Sequence, residues 1–221
     1  MNGIFITGTD TGIGKTYFTL ACIRALQEAG IKVAAMKPVA SGADMMNGQL
    51  RNEDALQIQQ ALSNDVEYSL INPYCFSPPV SPHIAAAQAG VKIEPDVIKQ
   101  QFNQLCSDAD YAIVEGVGGW LAPISNESSV ADLARSFDLP VVMVVGIRLG
   151  CLNHALLTAQ AIKSSGLGFA GWVANIVEPG LTALDEQIDY LTRTLEMSPM
   201  VRIGWQSSDR LFPQCLPGID I

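Results

Sequence analysis

At 221 residues, with 48% hydrophobic and only 16% charged side chains, the chain can bury a full core without metal or disulfide staples, and one domain spanning 1–221 is expected. A formal net charge of -9 disfavours nucleic acid and anionic lipid as partners, because their binding relies on clustered Lys and Arg. Five cysteines (Cys22, Cys75, Cys106, Cys151, Cys215), odd in number and never spaced as C-x-x-C, read as reduced thiols of a cytoplasmic protein rather than a disulfide framework or zinc site.

In chain order, no basic segment precedes an apolar stretch at the N-terminus, so no export signal is expected. Gly3 to Thr7 is a short apolar run suited to a buried strand. It leads into Gly8-Thr9-Asp10-Thr11-Gly12-Ile13-Gly14-Lys15-Thr16. Thr16 to Ala29 then has a helical pattern, closed by Gly30 at a C′ position. Strand, glycine-rich loop and helix is the order of a phosphate-binding loop. Its glycines let backbone N–H groups converge on a β-phosphate, and the helix N-terminus adds positive potential. Lys15 reaches β and γ oxygens, and the Thr16 hydroxyl ligates Mg²⁺. The usual motif has its first glycine where this chain has Thr9, with Gly8 one place further back.

Lys32 to Lys37 reads as the next strand. An ammonium beside Ala34, Ala35 and Met36 is costly unless an anion meets it, so Lys37 implies a phosphate or carboxylate partner; the alternative is a lysine that snorkels to solvent. Ser41-Gly42, just beyond, could add a hydroxyl donor to the same anion. From Gly42 to Leu105 the rhythm breaks, with Pro73, Pro78, Pro79 and Pro82 between helical pieces at Asp54 to Leu62 and Pro95 to Leu105. A long excursion of this kind shapes a site. Asp54 begins one of the helical pieces, where it could hold Mg²⁺ or simply cap the helix. His83 and His154 stand alone without ligand spacing and read as structural.

Tyr111 to Glu115 is a buried strand whose terminal acid requires a cation or donor, which makes Glu115 the better Mg²⁺ candidate. Gly116-Val117-Gly118-Gly119 after it is either a close backbone approach to a ligand or a tight turn. Val141 to Gly146 is a further strand, and its run from Val141 to Val145 is far too short to cross a bilayer. Asn153 to Ser165, closed by Gly166, and Leu184 to Glu196, closed by a nearby Pro199, read as helices. Phe169 to Asn175 and Val201 to Trp205 complete the strands. The fold expected is α/β: a mostly parallel, doubly wound sheet flanked by helices, of the P-loop NTPase type. Ligands of such sheets bind beyond the carboxyl ends of the strands. There the chain carries Thr7-Gly8, Lys37-Pro38, Glu115-Gly116, Gly146, Asn175 and Gly204-Trp205.

Several motifs, in order, resemble the dethiobiotin synthetases: Gly-Thr-Asp-Thr-x-x-Gly-Lys-Thr, Lys37-Pro38-Val39 with Ser41-Gly42, Asn72-Pro73-Tyr74, Ser81-Pro82-His83, Glu115-Gly116-Val117-Gly118-Gly119-Trp120, Leu149-Gly150-Cys151-Leu152-Asn153-His154-Ala155 and Gly171-Trp172-Val173-Ala174-Asn175. The match runs from Gly3 to about Trp205. The resemblance implies a cytoplasmic, homodimeric enzyme of biotin synthesis that uses ATP and CO₂ to close a ureido ring on 7,8-diaminononanoate. It implies that Lys37 and Lys15 neutralise carbamate and γ-phosphate charge while Thr11 and Ser41 donate hydrogen bonds, with no protein nucleophile. ATP would meet Gly12, Ile13, Gly14, Lys15, Thr16, Tyr17, Glu115, Gly116 and Gly118, with Asn175, Gly204, Trp205 and Gln206 at the adenine. Thr16, Asp54 and Glu115 would ligate Mg²⁺. Ser41 and Gly118 would meet the diamine, and the segment from Gly150 to Asn153 would hold its carboxylate across the dimer.

The chain departs from the family at Gly12, where Glu is common, and at Gly204-Trp205, where Pro-Trp is common. Its tail from Gln206 diverges. Two other classes share the loop. ATP-driven switches of the chromosome-partitioning or division-site type carry a signature lysine where this chain has Thr9, Asp10 and Thr11. Amide-forming synthetases that phosphorylate a cofactor carboxylate usually add a glutamine-hydrolysing domain, for which this chain has no room.

Overall fold

The apolar runs assemble into one parallel sheet whose two faces are both buried. In the computed structural model, which describes residues 1–205 and 213–219, strand β1 (Asn2–Gly8) leads through the glycine-rich loop into helix α1 (Lys15–Glu28) and back to β2 (Val33–Met36). The proline-broken excursion then folds as β3 (Val39–Ser41), a hairpin of β4 (Asp44–Met46) and β5 (Gln49–Arg51), α2 (Glu53–Ala61), α3 (Tyr68–Ile71), β6 (Tyr74–Phe76), α4 (Pro82–Ala89) and α5 (Pro95–Leu105). Regular alternation resumes with β7 (Tyr111–Glu115), α6 (Val130–Phe137), β8 (Val141–Ile147), α7 (Cys151–Lys163), β9 (Phe169–Ile176), α8 (Leu184–Leu195) and β10 (Val201–Ile203).

Among the described residues the main sheet has the order β10-β9-β8-β1-β7-β2, and every pairing in it is parallel. From β1 the chain winds outward to β2 and returns through β7; it then crosses to β8 on the other side of β1, so the sheet is doubly wound. Ile4 and Ile6 of β1 join Phe18, Ile23 and Leu26 of α1, Ile58 of α2 and Ile71 of α3 in one core layer. Phe5, pointing the other way, joins Ala85 of α4, Phe102 of α5, Phe137 of α6, Ala155 of α7 and Leu191 of α8 in the other. Burial of both faces is why these strands read as continuous apolar runs without alternation.

Several boundaries differ from the sequence reading. The second strand spans Val33–Met36 rather than Lys32 to Lys37, which leaves Lys37 immediately beyond it. The last ends at Ile203, short of Trp205. Helix α7 begins at Cys151 instead of Asn153, because Gly150, at φ 93, turns the chain directly into it. Asp54 is not the cap of α2: Asn52 is, accepting the Ala55 N–H at 3.4 Å, and this leaves the Asp54 carboxylate free to turn elsewhere.

Candidate active site

The loop after β1 is held from behind by β9. Asn175, at the carboxyl end of that strand, donates from Nδ2 to the Ile13 carbonyl at 2.7 Å. Gly14 sits at φ 90, and a Cβ there would lie 2.1 Å from Asn175 Nδ2, so only glycine permits the approach. Lys15 opens α1, and its Nζ donates to the Asp10 carbonyl at 2.8 Å. Burial, reinforced by repulsion from Lys37, lowers the Lys15 ammonium pKa to about 8. The Asp10 carboxylate accepts the Thr11 N–H at 2.7 Å and pairs with Arg148 beyond β8.

Beside the loop, the carboxyl ends of β2 and β7 bring three charges together. Lys37 is 4% exposed, and its Nζ lies 2.5 Å from Asp54 Oδ2 and 2.6 Å from Glu115 Oε1. The lysine therefore finds carboxylate partners and does not snorkel. Burial alone would discharge it, but Glu115 and Asp54 outweigh that and raise its pKa. Burial likewise disfavours the Asp54 carboxylate, yet Lys37 prevails and holds its pKa below the ordinary value. Thr16 Oγ1 donates to Glu115 Oε1 at 2.8 Å. The other oxygen, Glu115 Oε2, is buried without a hydrogen-bond partner.

That orphaned oxygen bears on Mg²⁺. A buried acceptor left unpaired costs about 1–3 kcal/mol, and a divalent cation or its water would satisfy it. No group of three His, Cys, Asp or Glu side chains suited to a metal occurs among the described residues. A P-loop site needs no such group, since its hard cation takes a threonine hydroxyl, one or two carboxylates and phosphate oxygens. Thr16, Asp54 and Glu115 fit that donor set.

A cleft of about 670 Å³ opens over these groups. Of the residues singled out from the sequence, Thr11, Gly12, Gly14, Lys15, Thr16, Lys37, Ser41, Asp54, Glu115 and Gly118 line it. Ile13 is buried in the core beneath the loop, and Tyr17 lies on α1, 39% exposed. Gly116 does not line the cleft, and a Cβ added there would lie 3.2 Å from both Phe5 and Val130. Gly204 and Trp205 follow β10, and Gln206 falls outside the described residues. Gly150 and Asn153 are exposed at the start of α7 and do not line the cleft. His83 shares a 2.9 Å hydrogen bond with Ser81 Oγ, and His154 is exposed on α7. The sequence reading gave no role to Asn52 or to the wall of Pro79, Val80, Ser81 and Pro82 ahead of α4, all of which border the cleft. The signals for that wall were its cluster of prolines and the Ser81-Pro82-His83 motif.

Fold and site together define the class: this is a P-loop nucleotide-binding enzyme. A family model described as an AAA domain matches residues 2–206. The ATP-dependent dethiobiotin synthetase BioD of Aromatoleum aromaticum is 47% identical over 192 residues, covering 87% of this chain and 85% of that one. BioD 1 of Escherichia coli K12 is 45% identical over 201 residues, covering 91% and 89%. The chain belongs to the ATP-dependent dethiobiotin synthetase family. Among solved structures, the MinC:MinD cell division complex of Aquifex aeolicus matches with TM-score 0.57 at 15% identity, over 93% of this chain and 82% of that one. A ParA family ATPase from Chlorobium tepidum matches with TM-score 0.56 at 17% identity, over 94% and 85%. At such identities the likeness concerns the fold alone.

Proposed function

We propose that this chain, as a single domain over residues 1–221, carboxylates 7,8-diaminononanoate with CO₂ and closes its ureido ring to give dethiobiotin, with ATP converted to ADP and phosphate. The observation that carries the reading is Lys37: a buried ammonium 2.5 and 2.6 Å from two acids, facing the same cleft as the phosphate-binding loop. A second buried ammonium beside Lys15 supplies the charge that a carbamate next to the γ-phosphate would need.

One amine of the substrate attacks CO₂ and loses a proton, forming a carbamate. A carbamate oxygen attacks the γ-phosphorus, and the bond to the β-phosphate oxygen breaks to release ADP. The second amine then attacks the carbonyl of this mixed anhydride, and the C–O bond breaks to expel phosphate, which takes up the amine's proton as the ring closes. Anions accumulate at every stage, so the work of the protein is positioning and charge neutralisation. Lys15 and Lys37 supply positive charge, Thr11 and Ser41 donate hydrogen bonds, and no side chain acts as a nucleophile. Thr16, Asp54 and Glu115 would hold Mg²⁺, which would supply positive charge to offset that of the phosphates.

Gly12, Ile13, Gly14 and Tyr17 belong in this reading to the nucleotide site, along with Gly116 and Gly118, and the adenine lies toward Asn175, Gly204, Trp205 and Gln206. Gly118 also borders the diamine. Gly150 and Asn153 serve the cleft of a second subunit, which their exposure outside their own cleft supports, as does Leu149 beside them at 93% exposed. The enzyme is then a homodimer, and its reactants place it in the cytoplasm.

The test is phosphate release from Mg-ATP with the diamine and bicarbonate, each omitted in turn. Release is expected to require both. Release indifferent to the diamine would sink the ring-closing reaction.

A further inference from the structure

Behind the cleft lies a chain of buried polar groups of which Asn52 borders the cleft while Tyr68 and Asn72 do not. The Tyr68 hydroxyl accepts the Asn52 N–H at 2.8 Å and donates to Asn72 Oδ1 at 2.9 Å. Asn72 Nδ2 in turn donates to the Lys37 carbonyl at 2.7 Å and the Tyr74 carbonyl at 3.3 Å. At the other end, Asn52 caps α2 through its Oδ1 and reaches the Ser41 carbonyl from Nδ2 at 3.4 Å. Tyr68, Asn52 and Asn72 are all buried, and the Arg51 guanidinium stacks over the Tyr68 ring at 4.1 Å.

The two ends of this chain carry the site. Asp54 stands two residues after Asn52 in the first turn of α2, so the cap that anchors Asn52 also fixes the Asp54 carboxylate. Lys37 is tied at its carbonyl to Asn72 and at its N–H to the Ile71 carbonyl, 2.8 Å away. One hydroxyl joins the segment bearing the acid to the segment bearing the lysine; besides Cys75 Sγ at 3.7 Å, its partners are Asn52 and Asn72, buried polar groups that would each lose a partner with it.

We propose that Tyr68 is a positioning residue of the active site, whose hydroxyl sets Lys37 against Asp54 through Asn72 and Asn52. This rests on the ring-closing reading only in taking Lys37 and Asp54 to act on the reactants. Tyr68 does not line the cleft. It acts by holding a spacing of 2.5 Å between an ammonium and a carboxylate that arise 17 residues apart.

Tyr111 provides the control. Its buried hydroxyl donates to the Pro217 carbonyl at 3.0 Å, at the amino end of β7 and away from the cleft. Tyr68→Phe and Tyr111→Phe each delete one buried hydroxyl, and both are compared in melting temperature, kcat and KM well below their melting points. In Tyr68→Phe, kcat is expected to fall about tenfold or more with KM for Mg-ATP within about twofold, while Tyr111→Phe keeps kcat within about twofold. On a Lys37→Gln background, Tyr68→Phe should cost less than about twofold further, because its effect passes through Lys37. An unchanged kcat in Tyr68→Phe, or losses that follow the melting temperature equally in both variants, would overturn the proposal. If the wild type forms no dethiobiotin, the functional reading fails, and the Lys37 ammonium signal in ¹⁵N NMR of the nucleotide-free protein still decides. Its loss to solvent exchange in Tyr68→Phe but not in Tyr111→Phe supports the positioning role, and its persistence in both refutes it.

Discussion

Lys37 owes its position to burial at the end of β2 and its charge to Asp54 and Glu115. Lys37→Gln removes the cation and leaves two carboxylates facing one another. The phosphate-release assay should show kcat lower by about 10²–10³-fold, the range found when a group that stabilises transition-state charge is deleted. Breaking a buried pair costs about 3–5 kcal/mol, and the lower end is expected here because the Asp54 side chain is 40% exposed and partly screened by water. Denaturant unfolding measures that loss, and added Mg²⁺ should restore more stability to the variant than to the wild type. Gly12 offers a milder test. It sits at φ 70, and a Cβ added there would meet nothing within 4 Å, so Gly12→Glu fits the space and incurs only left-handed strain, about 1–2 kcal/mol. The variant should fold and bind nucleotide with a correspondingly lower unfolding midpoint. At this scale Lys37 and Glu115 were legible because a charge at the end of an apolar run needs a partner. Asp54 is singled out only by the family resemblance, because from the residues alone capping by its own side chain is an equal reading, which Asn52 removes by holding the cap. Tyr68 gave no signal, since a tyrosine in a proline-broken stretch looks like any other.

Helix α6 shows what local signals can carry. Ser129 caps it and Asp132 returns the bond to the Ser129 N–H, a reciprocal capping box. Ser129→Ala should lower stability by about 1 kcal/mol in equilibrium unfolding. The Asp132 carboxyl is held below its ordinary pKa, first by the Ser129 hydroxyl. A carboxylate whose folded pKa is depressed contributes stability above the ordinary value and loses it as pH falls through the lowered one. Asp132→Asn should therefore be less stable than wild type at pH 7, with the gap closing below about pH 4. The sequence reading left α6 unassigned although the Ser-x-x-Asp spacing was present. It also missed β3, β4, β5 and β6 for a different reason: each is a three-residue strand, and alternation over three residues is no signal. Long apolar strands and the helices closed by Gly30 and Gly166 were found, with errors confined to their ends, whereas α4, closed by Gly90, was not.

Both core layers share the one parallel sheet, with β1 contributing Phe5 to one and Ile4 and Ile6 to the other. Neither layer can be lost alone without exposing the far face of the same strands, so a single cooperative unfolding transition is expected by calorimetry. Mg-ATP at a hundred times its Kd should stabilise the fold by about 2.7 kcal/mol, and two separate transitions would show that the excursion between β3 and α5 unfolds by itself. Read alone, the sequence determined the parallel α/β class and the phosphate-binding loop, because strand, glycines, lysine and helix are contiguous and each signal acts over a few residues. Its motifs also placed the chain near the dethiobiotin synthetases. Only the tertiary structure decided that Lys37 meets Asp54 and Glu115, 17 and 78 residues away. Sheet order set β7 between β1 and β2 and so brought Glu115 beside both Thr16 and Lys37. Charge pairing depends on distance in space, and no local pattern in a chain encodes the order in which its strands will lie.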